Sequence, residues 1–152
     1  MLYLRDATDS DMSLVLSWRN NPLIWELTYT QREPISWANH KNWFQSRQDN
    51  RLFMITLVED DFARDVGFLS ISPLQYWSPE IGIIIGEVSL WGKNIGTEAF
   101  KLACQWLKDK GYKHTMTTVL NTNLRAIGML KNNGFERTSD ARKGESRYEK
   151  EL

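Results

Sequence analysis

Apolar positions change their spacing repeatedly along the chain, and each change marks an element. "LYLRD" near the start reads as a short strand. In "TDSDMSLVLSWRN" the residues Met12, Val15, Leu16 and Trp18 share a helical face, with Asp9 or Ser10 as the cap. "NNPLIWEL" puts Asn21 before Pro22, an N-cap and first-turn pair for a short second helix. "ISWANHKNWFQSRQ", from Ile35, gives a third helix with Trp37, His40, Trp43 and Phe44 near one face. "RLFMITLV" and "DVGFLSIS", separated by acidic "EDD", read as a hairpin. "EIGIIIGE" reads as a strand buried on both faces.

Next, Ile95, Ala99, Leu102, Ala103, Trp106 and Leu107 form a helical stripe that Gly111 ends. "HTMTTVL" is a strand. "NTNLRAIGMLKNN" is a helix with an Asn or Thr cap and Gly134 just past its end. "GFERTS" and "SRYEKEL" are strands around a polar turn. With no repeat or linker, the pattern predicts one α+β domain, residues 1–152, with a mixed sheet.

Between the isoleucine strand and the longest helix lies "LWGKNIG". A helix N-terminus offers unpaired N–H groups and partial positive charge, so such a loop can cradle a phosphate. Lys93 would add charge. The spacing is neither a P-loop nor a dinucleotide fingerprint, and a tight turn feeding a helix explains it equally well.

Composition narrows the classes. Lys+Arg and Asp+Glu are both 19, so net charge is zero and no basic face for nucleic acid is expected. The single cysteine, Cys104, excludes an internal disulfide and a cysteine-ligated zinc site, and is expected to be a packed helix residue. His40 and His114 offer no metal spacing, so no metal is expected. The charged N-terminus is unlike a signal peptide and the longest apolar run is too short to span a bilayer, so a cytoplasmic protein without membrane contact is expected. Oligomeric state is not legible, and a homodimer stays open. Four of seven tryptophans, Trp18, Trp25, Trp37 and Trp43, fall in the first third and read first as core.

Strand "EIGIIIGE", loop "LWGKNIGTEA", a helix, a strand and then "NLRAIGMLKNNGF" together resemble the GNAT superfamily of acetyl-CoA-dependent N-acetyltransferases. The resemblance runs from about Leu2 to Tyr148 and is strongest to the ribosomal-protein and amino-sugar branch. It implies a mixed, mostly antiparallel central sheet with splayed strands, flanked by helices. The family's pyrophosphate loop falls on Trp91, Gly92, Lys93, Asn94, Ile95 and Gly96, running into Thr97. Asn94 replaces the middle glycine, and asparagine is the mildest substitute where φ is positive. The resemblance further implies that the pantetheine arm of coenzyme A pairs with the main chain of Ile84, Ile85 and Gly86. The Ile84 amide would polarise the thioester carbonyl, and Asn123 would contact the cofactor through its side chain.

Acetyl transfer needs a neutral amine. Deprotonating one with a lysine-like pKa costs about 4–5 kcal/mol at pH 7, so a general base is useful. The resemblance assigns that role to Glu80, directly or through water; the alternative is a solvated strand-end charge. The usual general acid is a tyrosine where this chain has Leu130, which cannot donate a proton. Releasing a thiol of pKa near 8.5 as thiolate costs only about 2 kcal/mol at pH 7, so its absence slows but does not forbid transfer. Arg125 is either a phosphate contact or an exposed helical arginine.

"LSWRNNP", "ISWANHKNWF" and "NRLFMITL" resemble the amino-sugar nucleotide acetyltransferases of surface-glycan synthesis, which implies an amino-sugar nucleotide as acceptor, and Arg19 could pair its diphosphate. Protein N-terminal acetylation and a non-catalytic acyl-CoA-binding module are the alternatives.

Overall fold

The computed structural model describes residues 1–46 and 49–152. Arg47 and Gln48, at the end of the expected third helix, lie outside the described residues. The elements are β1 (Leu2–Asp6), α1 (Met12–Arg19), α2 (Pro22–Trp25), α3 (Trp37–Gln45), β2 (Arg51–Glu59), β3 (Phe62–Ser72), β4 (Glu80–Ile85), α4 (Ile95–Asp109), β5 (His114–Leu120), α5 (Leu124–Asn132), β6 (Glu136–Asp140) and β7 (Glu145–Glu151).

The strands form one sheet in the order β1-β2-β3-β4-β5-β7-β6. Every neighbouring pair is antiparallel except β4–β5. On one face, α4 and α5 bury Ala99, Phe100, Ala103, Cys104, Leu107 and Leu130 against Ile55, Leu69, Ile71 and Ile81. On the other, α1 to α3 bury Val15, Trp18, Ile24 and Phe44 against Met54 and Phe68. The expected helical stripe is right in phase but omitted Phe100 and Cys104; Ile95, Leu102 and Trp106 sit at its half-buried edges. Of the four early tryptophans only Trp18 is core, while Trp37 and Trp43 are exposed.

Three local features set up the site. The β2–β3 hairpin turns on Asp60 and Asp61, both at positive φ (48° and 66°), the backbone a two-residue hairpin loop requires. Opposite Ile55/Thr56 the register shifts and leaves Val66 as a bulge. The Val66 carbonyl then accepts from the amides of both Gly86 (2.8 Å) and Glu87 (3.1 Å), so the bulge ends the β3–β4 pairing. Finally, α1 is entered through a turn at Asp9–Asp11. The Thr8 amide donates to Asp11 Oδ2 at 2.8 Å. That pair, rather than Asp9 or Ser10, caps the entry, because Asp11 is also gripped by Arg5 at 2.7 Å.

The β4–β5 pair is held at one end only. Glu80 pairs with Met116, and the hydroxyls of Thr115 and Thr117 donate to the Pro79 (2.8 Å) and Ile81 (2.7 Å) carbonyls. Beyond Ile81 the strands part. β4 is therefore not buried on both faces as its isoleucines imply: Ile83, Ile84 and Ile85 are half-buried.

Candidate active site

The gap between β4 and β5 opens into three adjoining cavities. One of about 350 Å³ is walled by Ile83 to Ile85, the loop from Leu90 into α4, and α5. A larger one, about 750 Å³, lies between β4 and the α1–α3 side, lined by Arg19, Arg32, Glu33, Trp43, Phe68 and Gly82 among others. A third, about 230 Å³, holds Tyr29, Glu80, Leu130, Arg142 and Glu145. Thr28 and Ile83 line all three. A reaction joining two substrates can meet there.

The loop before α4 has the backbone its sequence requires. Gly92 is at φ +80° with nothing near its missing Cβ, and Asn94 is at φ 64°, ψ 9°, the left-handed region. The first backbone bond of α4 is from the Glu98 amide to the Asn94 carbonyl, 3.0 Å, and the Asn94 side chain makes no capping bond. The amides of Ile95, Gly96 and Thr97 therefore keep the unpaired state of every helix start, and all three residues line the 350 Å³ cavity. Arg125 lines it too, its guanidinium 4.9 Å from the Trp91 ring. The Trp91 indole N–H donates to the Ile85 carbonyl at 2.9 Å, which ties the loop to the strand. Asn123 lines the same cavity, but its Oδ1 is occupied by the Ala126 amide as the N-cap of α5.

Three expectations need correction. Ile84 does not offer its amide to the gap. Gly86 N–H bonds Val66, and the β3–β4 register pairs Phe68 with Ile84. By the antiparallel alternation Ile84 therefore faces β3, while Ile83 and Ile85 face β5. A Cβ on Gly67 would sit 2.3 Å from the Ile84 carbonyl oxygen, which fixes the same direction. Gly86 does not line the cavity either: its amide is used by Val66 and a Cβ there would be 2.1 Å from the Trp18 ring. Lys93 is exposed, away from the cavity walls, with its amide turned to the Leu90 carbonyl. Gly96 does line the cavity and also packs closely on α5, where a Cβ would lie 2.6 Å from Met129 Sδ.

Glu80 is half-buried, not solvated, and receives the Thr118 hydroxyl at 3.3 Å. Burial, with the charge of Glu145 adding, pushes its carboxyl above the ordinary value against that hydrogen bond. Across the gap, Arg19 NH1 meets His40 Nδ1 at 3.0 Å, and His40 Nε2 meets the Met12 carbonyl at 2.8 Å. A carbonyl only accepts and a guanidinium only donates, so His40 is neutral with its proton on Nε2. Burial also pushes its pKa down. The Arg19 guanidinium lies 4.0 Å over the Trp43 ring. It forms no ion pair with a carboxylate among the described residues. Cys104 is buried, its thiol pushed up to about 11 by burial, as suits a packing role.

Residues 1–136 match the family model for the acetyltransferase (GNAT) domain. The chain belongs to the GNAT acetyltransferase family. The family is one of acetyl-CoA-dependent N-acetyltransferases. An uncharacterized protein of Methanocaldococcus jannaschii is 40% identical over 151 residues, which is 99% of this chain and 31% of that protein's length. The chain thus spans about a third of that relative. A crystal structure of a domain from the same organism superposes with a TM-score of 0.97 at 40% identity, covering 100% of this chain and 99% of that one. The fold is shared with a Vibrio cholerae spermidine N-acetyltransferase in complex with coenzyme A and spermine (TM-score 0.86, 15% identity, 99% and 95% covered). It is shared as well with an aminoglycoside acetyltransferase in complex with coenzyme A and kanamycin (0.82, 17%, 99% and 95%). Among the described residues no helix is long and apolar enough to cross a membrane.

Sequence reasoning missed Thr28, Tyr29 and Arg142. They lie in segments without periodicity and reach the site only through tertiary contacts. Ile83 was within reach, but which edge of a strand faces which neighbour is decided by pairing.

Proposed function

We propose that this chain acetylates the amine of an amino-sugar nucleotide, by direct transfer with donor and acceptor bound together, in the cytoplasm. The observation that carries the acceptor class is Arg19. Its guanidinium lines the 750 Å³ cavity with its charge uncancelled, held by a neutral imidazole and an indole face. A planar guanidinium in that state suits a diphosphate, and the exposed Trp43 offers a flat face for a base or sugar. The same cavity has two arginines, Arg19 and Arg32, against one carboxylate, Glu33. A polycationic amine is the poorer fit.

Acetyl-CoA supplies the acetyl group as a thioester. The open amides at Gly92, Asn94 and Ile95 to Thr97 hold its pyrophosphate, with Arg125 beside them. The gap-facing main chain of Ile83 and Ile85 pairs with the pantetheine arm. The Ile83 amide, where the three cavities meet, replaces Ile84 as the donor that polarises the carbonyl, an interaction worth about 3 kcal/mol in such sites. Glu80 accepts the amine proton at a carboxylate oxygen, directly or through water. Its raised pKa brings it closer to that of its substrate.

Replacing Arg19 tests the acceptor class. Arg19→Gln keeps a donor for His40 Nδ1 and should raise KM at least about tenfold for the nucleotide-linked amino sugar, the loss expected for a charge-assisted contact. The same sugar without its nucleotide should be unaffected, as should KM for acetyl-CoA. Equal effects on both acceptors would exclude a diphosphate partner.

A further inference from the structure

A departing thiolate must take up a proton, and at the position where the family resemblance implies a tyrosine this chain has Leu130, 1% exposed and part of the core. The 230 Å³ cavity that Leu130 lines nevertheless contains a phenol. Tyr29, between α2 and α3, lines it too. The Arg142 guanidinium lies 3.7 Å from the Tyr29 ring centre and is itself fixed by Glu145 Oε1 at 3.2 Å. The β6–β7 turn thus holds the ring against the cavity. The Tyr29 hydroxyl has no hydrogen-bond partner among the described residues. The titratable side chains on this cavity are Tyr29, Glu80, Arg142 and Glu145. Arg142 does not release protons, Glu145 is paired with it, and Glu80 is the base. The cavity shares Leu27, Thr28, Ile83, Asn123, Ala126 and Met129 with the donor cavity, so it adjoins the end where the thioester lies.

We infer that Tyr29 is the proton donor to the departing sulfur, supplying from the α2–α3 segment what position 130 lacks. The inference rests on the donor and base placement proposed above. The amine nitrogen bonds to the carbonyl carbon and gives one proton to Glu80. As the carbon–sulfur bond breaks, its electron pair stays on sulfur, which takes the phenolic proton. The proton on Glu80 returns to the phenolate across the cavity both residues line, so neither residue is changed over a turnover.

The test is Tyr29→Phe, which keeps the ring under Arg142. Protonating a thiolate of pKa near 8.5 is worth at most roughly 30-fold at pH 7. The variant should lose about 10- to 30-fold in kcat, within that limit, and bind coenzyme A in calorimetry as the parent does. Because the gain comes from protonating the departing thiolate, the variant's deficit should shrink as pH rises toward about 8.5, where the thiolate leaves with little help. Leu130→Tyr added to Tyr29→Phe should restore part of the rate. Unchanged kcat, or a deficit that stays the same size across that pH range, overturns the inference. Failure of the underlying placement would show elsewhere: in Glu80→Gln with an unchanged acidic limb, or in a parent that does not bind coenzyme A.

Discussion

Glu80 occupies the one point where β4 and β5 still pair, beside a gap that opens immediately beyond it. In the proposed role, the burial that would make it a better base also makes its ionised form costly. Its pKa is raised in the folded state, so its contribution to stability is full below the ordinary carboxylate range and is lost as pH rises through the raised value. Glu80→Gln should therefore melt higher than the parent at neutral pH, with the difference vanishing at acid pH. The same variant should turn over more slowly and lose the acidic limb of its pH–rate profile. Thermal melts across that range, paired with initial rates, check both signs. At this scale the sequence was partly readable. The alternation of β4 says which side chains share a face, so Glu80, Gly82 and Ile84 group together. It does not say which main-chain edge meets β3, and that is why Ile84 was expected where Ile83 stands.

The start of α4 was the most legible element. Two small or turn-prone residues before a strong apolar stripe required positive φ, and both Gly92 and Asn94 have it. Asn94→Ala puts an ordinary side chain in the left-handed region and should cost about 1 kcal/mol of stability, with weaker coenzyme A binding in calorimetry. Asn94→Gly should match or exceed the parent in both. Losses of equal size in the two variants would mean that the Asn94 side chain itself binds. The entry to α1 was less legible, since four polar candidates precede Met12 and only the Arg5 contact decides for Asp11. β4 was misjudged in burial for a related reason. Its isoleucines pack on both sides, but the adjoining gap leaves them half-open.

Across the whole molecule, the strand order brings a parallel pair into an otherwise antiparallel sheet, and that pair separates to form the cleft. The helices on the two sheet faces then give the cleft two unlike ends: an amide-rich loop on the α4–α5 side, an uncancelled guanidinium on the α1–α3 side. The order of strands and helices could be read from periodicity and turn residues, while the splayed, mostly antiparallel sheet was implied only by the family resemblance. The meeting of three cavities at Thr28 and Ile83 could not, because the α2–α3 segment carries no periodic signal. The most direct measurement of the account is coenzyme A release at saturating acetyl-CoA across four acceptors: a nucleotide-linked amino sugar, an aminoglycoside, a polyamine and a peptide with a free α-amine. The account predicts the highest kcat/KM for the nucleotide-linked amino sugar. A preference for the peptide or the polyamine, or coenzyme A binding with no amine acetylated, would contradict it.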